Sequence, residues 1–129
     1  MNTPIAPPTL APPAANYSHA ILSSGVTRLL HTSGVVPIAL DGSVAESIDD
    51  QAVQVWANLS AILAEADMLV TDVVSVTTYV VVGELGELAT VMAARDRALG
   101  GHRAASTLVT VPALARPEWK MEIALVAAA

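Results

Sequence analysis

The chain has 129 residues, the size of one domain; 53% are apolar, yet aromatic residues make up only 3% and phenylalanine is absent. Six Lys and Arg against twelve Asp and Glu give a net charge of −6. With no basic stripe and few rings for base stacking, nucleic-acid binding is disfavoured, because phosphate neutralisation supplies most of that affinity. No cysteine is present, which excludes disulfides and thiolate chemistry. No apolar run approaches the ~18 residues of a membrane span, and no basic region leads into a long apolar run as in a secretory leader. A cytoplasmic location is the expectation.

In chain order, "MNTPIAPPTLAPPAAN" holds most of the prolines. Proline fixes φ and removes a backbone donor, so residues 1–15 are expected to form an extended or disordered arm. The domain proper is expected to cover 16–129. "YSHAILSS" and "RLLHTSGVVP" read as two short strands joined through "GVT" as a hairpin. "LDGS" (40–43) is a turn signal.

"SIDDQAVQVWANLSAILAEAD" reads as a helix. Ser47 is its cap, Asp50 follows three residues on, and Asp49 and Asp50 suit the positive end of the helix dipole. Ile48, Ala52, Val55, Trp56, Leu59, Ile62, Leu63 and Ala66 make one apolar stripe. "DVVSVTTYVVV" (72–82) is rich in β-branched residues and reads as a long strand. Strict alternation puts Val74, Val76, Thr78, Val80 and Val82 on one face and Val73, Ser75, Thr77, Tyr79 and Val81 on the other. Both faces are largely apolar, so both are expected to be covered. "ELGELATVMAARDRAL" reads as a second helix ended by Gly100-Gly101. "AASTLVTVPAL" and "WKMEIALVA" read as the last strands. The order ββαβαββ defines an α+β fold, one sheet with two helices on one face. The surplus apolar face is expected to be buried against other subunits.

Few residues carry chemistry. No phosphate-binding glycine loop occurs, and His19, His31 and His102 are far apart, so no metal or other cofactor is expected. "SSG" and "TSG" lack the flanks of a nucleophile elbow. Glu122 stands inside an apolar strand, on the face of Lys120 and Ala124 and opposite Met121, Ile123 and Leu125. It is either a solvated edge position or a carboxylate held in a cleft to activate water. Arg103 follows a glycine pair and shares a strand face with Ala105 and Thr107. It is either surface charge or a fork for a carboxylate. Tyr17 either closes a pocket or packs.

Taken together, Tyr17-Ser18, Ser33-Gly34, Pro37, Gln51…Asn58-Leu59, Asp72-Val73-Val74, Ser106-Thr107 and Glu122-Ile123, in this order and spacing, resemble the Rid family, also called YjgF or endoribonuclease L-PSP. The resemblance runs from about Tyr17 to the end of the chain. It implies a chorismate-mutase-like fold and a homotrimer whose sheets form an inner barrel, with small-molecule clefts between subunits. It also implies deamination of amino-acid-derived enamines and imines by water. By this resemblance Glu122 is the catalytic, water-positioning glutamate. Tyr17, Ser33, Gly34, Arg103, Ala105 and Thr107 belong to the ligand site, Ser106 and Thr107 match the end of the family's arginine motif, and the carboxylate-binding arginine of that motif would stand at position 105, where this chain has Ala105. Val35 and Met92 likewise stand where a glutamine and an asparagine are usual. Arg103 lies about 6.6 Å along the strand from the vacant position, within partial reach of it. The readings left open are an imine or enamine hydrolase with altered substrate preference and a non-catalytic ligand-binding or regulatory homologue. A ribonuclease is disfavoured by the acidic charge and the lack of paired histidines.

Overall fold

The computed structural model describes residues 1–129. Six strands, β1 (Asn2–Ile5), β2 (Ala20–Ser23), β3 (Leu29–His31), β4 (Val73–Val81), β5 (Ala105–Val111) and β6 (Met121–Ala128), accompany two helices, α1 (Ile48–Glu65) and α2 (Leu88–Leu99). Short 3-10 turns at Val70–Asp72 and Val82–Glu87 lead into β4 and α2. The main sheet has the order β3-β6-β4-β5. β4 pairs in parallel with β5 and antiparallel with β6, as two strands joined through a helical crossover require. The α+β layout, with both helices on one sheet face, is the one the sequence predicts.

α1 starts where Ser47 accepts a hydrogen bond from the backbone N–H of Asp50 (3.2 Å). Its stripe Ala52, Val55, Trp56, Leu59 and Leu63 is buried against the sheet. α2 ends at Gly100, whose φ of 58° is the left-handed cap that glycine adopts without strain. The sheet offers Val76, Thr78 and Val80 of β4 and Met121, Ile123 and Leu125 of β6 to these helices. Gln51, fully buried on α1, ties the layers together. Its amide donates to the carbonyls of Ala45 and Glu118 and its oxygen accepts from the Lys120 N–H, at 2.8–2.9 Å.

Three expectations need correction. β2 and β3 do not pair as a hairpin. β2 pairs with β1 of the N-terminal arm, and the chain then crosses so that β3 pairs with β6. Gly25 (φ 68°) turns the chain, and the N–H groups of Thr27 and Arg28 bond the Ala129 carbonyl, which draws the segment to the main sheet. The arm is not one uniform extended segment: Asn2–Ile5 is a paired strand because the proline clusters begin only after it, and a turn closed by the Leu10 N–H on the Pro7 carbonyl follows. Finally, Val73 does not share a face with Ser75 and Tyr79. A bulge in β4 between Val73 and Ser75 inserts one residue, which rotates Val73 into the core, where it is fully buried.

The second sheet face carries Ser75, Thr77, Tyr79 and Val81 of β4, Glu122, Ala124 and Val126 of β6, and Ala105, Thr107 and Val109 of β5. These residues are half-buried or exposed, and neither helix covers them. No helix is long and apolar enough to cross a membrane.

Candidate functional site

The open face has one place where a carboxylate is built in. After β3 the chain continues along β6: Thr32 N–H donates to Leu125 O (3.0 Å), and Val35 and Ile123 exchange two backbone bonds (2.7 and 3.1 Å). Ser33 and Gly34 therefore face the single residue Ala124. This two-against-one arrangement is that of a bulge, a device that re-aims side chains beside a site. The Asn58 amide, donating to the carbonyls of Val36 and Ile38 (3.1 and 3.0 Å), fixes the following segment to α1.

The Glu122 side chain lies against Gly34. A methyl group on Gly34 would stand 1.8 Å from Glu122 Oε2 and 2.9 Å from its Cδ. Only glycine leaves room for the carboxylate there. Gly34, Glu122, Ala124 and Tyr79 line a recess of about 230 Å³. Tyr79 is the direct cross-strand partner of Glu122, which sets their Cβ atoms roughly 4.5–5.5 Å apart. The two ion pairs of the chain, Arg95–Asp96 (3.0 Å) and Lys120–Glu84 (3.4 Å), leave Glu122 without a cation. None of the side-chain hydrogen bonds around β4 and β6 involves Glu122 or Tyr79. Glu122 and Tyr79, both half-buried, thus line the recess without a side-chain hydrogen bond to the rest of the chain.

Of the expected ligand residues, Ser33 and Gly34 lie beside Glu122 on the β6 side of the sheet. Tyr17, Arg103, Ala105 and Thr107 do not. In register, Glu122 is opposite Tyr79 and Tyr79 opposite Val109, whereas Ala105 is opposite Ser75. Four residues along β5 and two strands across place Ala105 about 16 Å from Glu122, and Thr107 about 12 Å. Tyr17 is half-buried beside the start of β5, its hydroxyl accepting from Ala14 N–H (3.3 Å) and its ring edge-on to His19. Ser18 fixes this stretch: its N–H bonds Ala104 O (3.0 Å) and its hydroxyl donates to Arg103 O (2.5 Å).

Arg103 is exposed and turned from Ala105. Its guanidinium donates to Asn16 Oδ1 (3.2 Å), and the Asn16 amide donates to Asp96 (2.9 Å). Asp96 also holds the buried Arg95, which reaches Ser106 Oγ (3.2 Å). This relay of side chains binds the arm to α2 and β5. No three His, Cys, Asp or Glu residues gather as a metal site. The sequence reading missed Tyr79. The signal was there in its alternation with Ser75 and Thr77, but pairing with Glu122 is a matter of register between distant strands.

A mixed sheet with two helices on one face and a glycine-seated glutamate on the other defines a chorismate-mutase-like α+β protein. The family model of endoribonuclease L-PSP matches residues 8–129, and the chain belongs to this family, the Rid or YjgF family. It is similar to the conserved Rid-family protein YyfB of Yersinia pestis, described as of unknown function: 32% identity over 99% of this chain and 98% of that one, TM-score 0.89. It is also similar to the YjgF gene product of E. coli, with 28% identity over 98% of each chain and a TM-score of 0.71. No curated protein matches the chain.

Proposed function

We propose that the protein forms a homotrimer that takes a small neutral ligand in a cleft between subunits and hydrolyses an imine or enamine. Glu122 accepts the proton of the water that adds to the electrophilic carbon. The carrying observation is the free Glu122 carboxylate seated on Gly34. Two features of the fold support the assembly. The open apolar face needs a cover. In addition, the two groups of expected ligand residues sit toward opposite edges of that face, so head-to-tail cyclic packing brings the β3–β6 side of one copy to the β5 edge of the next.

The absence of a cation at Ala105, with Arg103 engaged by Asn16, argues for a ligand without a carboxylate. A lost charged fork costs about 2–5 kcal/mol of carboxylate binding, roughly thirty-fold to several-thousand-fold in affinity. The test is release of keto acid from 2-iminopropanoate generated in situ. Wild type is expected to be slow, Ala105→Arg faster by at least about thirtyfold, and Glu122→Gln in that background inactive. Turnover that survives Glu122→Gln would end the hydrolytic reading. Light scattering at the 13.3 kDa of a monomer would end the trimeric one. The uncharged residues Val35, Met92 and Ala105 favour a second reading, a non-catalytic ligand-binding trimer, which absence of turnover in every background would support.

A further inference from the structure

Resting on that reading, we infer that the Tyr79 hydroxyl is the proton donor of the Glu122 recess. A neutral imine is a poor electrophile until its nitrogen takes a proton. Glu122, needed as a base, cannot supply that proton at the same moment. Tyr79 is placed to do so. It is the residue directly across from Glu122 in the β4–β6 ladder, it lines the same recess, and its hydroxyl is bound to nothing else in the chain. Its strand is hydrogen-bonded on both sides, to β5 and β6, so the ring is carried on fixed backbone. Charged groups nearby are committed elsewhere: Lys120, two residues along β6, pairs with Glu84.

The step balances. Water oxygen bonds to the imine carbon while Glu122 takes a water proton. The C=N π pair moves to nitrogen, which takes the Tyr79 proton. In the collapse, protonated Glu122 gives its proton to the amine nitrogen, the C–N bond breaks and ammonia leaves. The new hydroxyl returns its proton to the phenolate as the carbonyl forms. A substrate whose nitrogen is already a dialkyl iminium ion needs only the Glu122 half of this sequence.

The experiment compares Tyr79→Phe with its parent on a neutral imine made in situ from a simple primary amine, and on the corresponding N,N-dialkyl iminium ion. The same pair is made in the Ala105→Arg background with 2-iminopropanoate. The expected result is a fall in kcat of about a hundredfold on imines, with KM within twofold and the iminium rate unchanged. Equal loss on imine and iminium would mean a packing role and overturn the inference. So would Glu122-dependent turnover indifferent to Tyr79→Phe, which would leave the hydrolytic reading standing. Absence of Glu122-dependent turnover in both backgrounds overturns both. Circular dichroism confirms that the phenylalanine variant is folded.

Discussion

Gly34→Ala separates site geometry from fold stability. The added methyl would stand 1.8 Å from Glu122 Oε2, and an ordinary contact begins at 3.4 Å, so the carboxylate must retreat by about 1.6 Å. The retreat is inexpensive for the fold, because the atom in the way is the end of a flexible side chain facing an open recess. Restricting the unfolded chain favours the alanine by about 0.4–1 kcal/mol, which offsets part of the displacement. The net change in stability is therefore expected within about 1 kcal/mol, a midpoint shift of roughly 2–8 °C in a thermal melt. Function is expected to respond differently, since a displacement near 1 Å at a reacting group can cost on the order of a hundredfold. The assay is a paired measurement on the Ala105→Arg background: thermal unfolding, and the rate of keto-acid release from 2-iminopropanoate. Full turnover with an unchanged melt would refute the idea that Gly34 exists to seat Glu122. A loss of several kcal/mol would show instead that Gly34 is a packing position.

Two further outcomes test the scaffold. Gln51→Leu keeps the volume near α1 but leaves the carbonyls of Ala45 and Glu118 and the N–H of Lys120 without their partner; it is expected to cost about 2–4 kcal/mol in denaturant unfolding, and a neutral result would refute the role given to this amide. At the 40–43 turn, the Ser43 hydroxyl, and then its N–H, hold the Asp41 carboxyl below its ordinary value. A depressed folded value means a stabilising contribution that is present above the unfolded pKa and lost as pH falls through the folded one. The stability difference between wild type and Asp41→Ala should therefore stay constant above about pH 5 and shrink below about pH 4; a difference that grows on acidification would contradict the assigned bonds.

The parts of the fold legible in the sequence were those decided locally. Ser47 and the stripe from Ile48 to Leu63 specify α1 without reference to anything distant. Gly100 ends α2 by the conformation it alone takes easily. The alternation around Met121, Ile123 and Leu125 placed Glu122 on the opposite face, where the structure has it. What escaped was non-local. Nothing within "AILSSGVTRLL" tells that β2 prefers the N-terminal strand while β3 prefers β6, since each has apolar residues suited to either partner. The bulge that turns Val73 inward is invisible in a run where every face is apolar. The direction of Arg103 depends on Asn16, 87 residues away in the chain, which is itself held by Asp96. Tyr79 could be put on a face but not opposite Glu122, because register joins segments more than forty residues apart.

Near its start β6 is zipped to β4 on one side and to Val35, beyond β3, on the other, and Glu122 rides there. An acid mounted on such a beam has little backbone freedom of its own, unlike one on a hinged loop. The pocket floor is therefore fixed as soon as the sheet assembles, and admission of a ligand falls to the rims, where the Ser33-Gly34 kink and whatever lies over the bare sheet decide what fits.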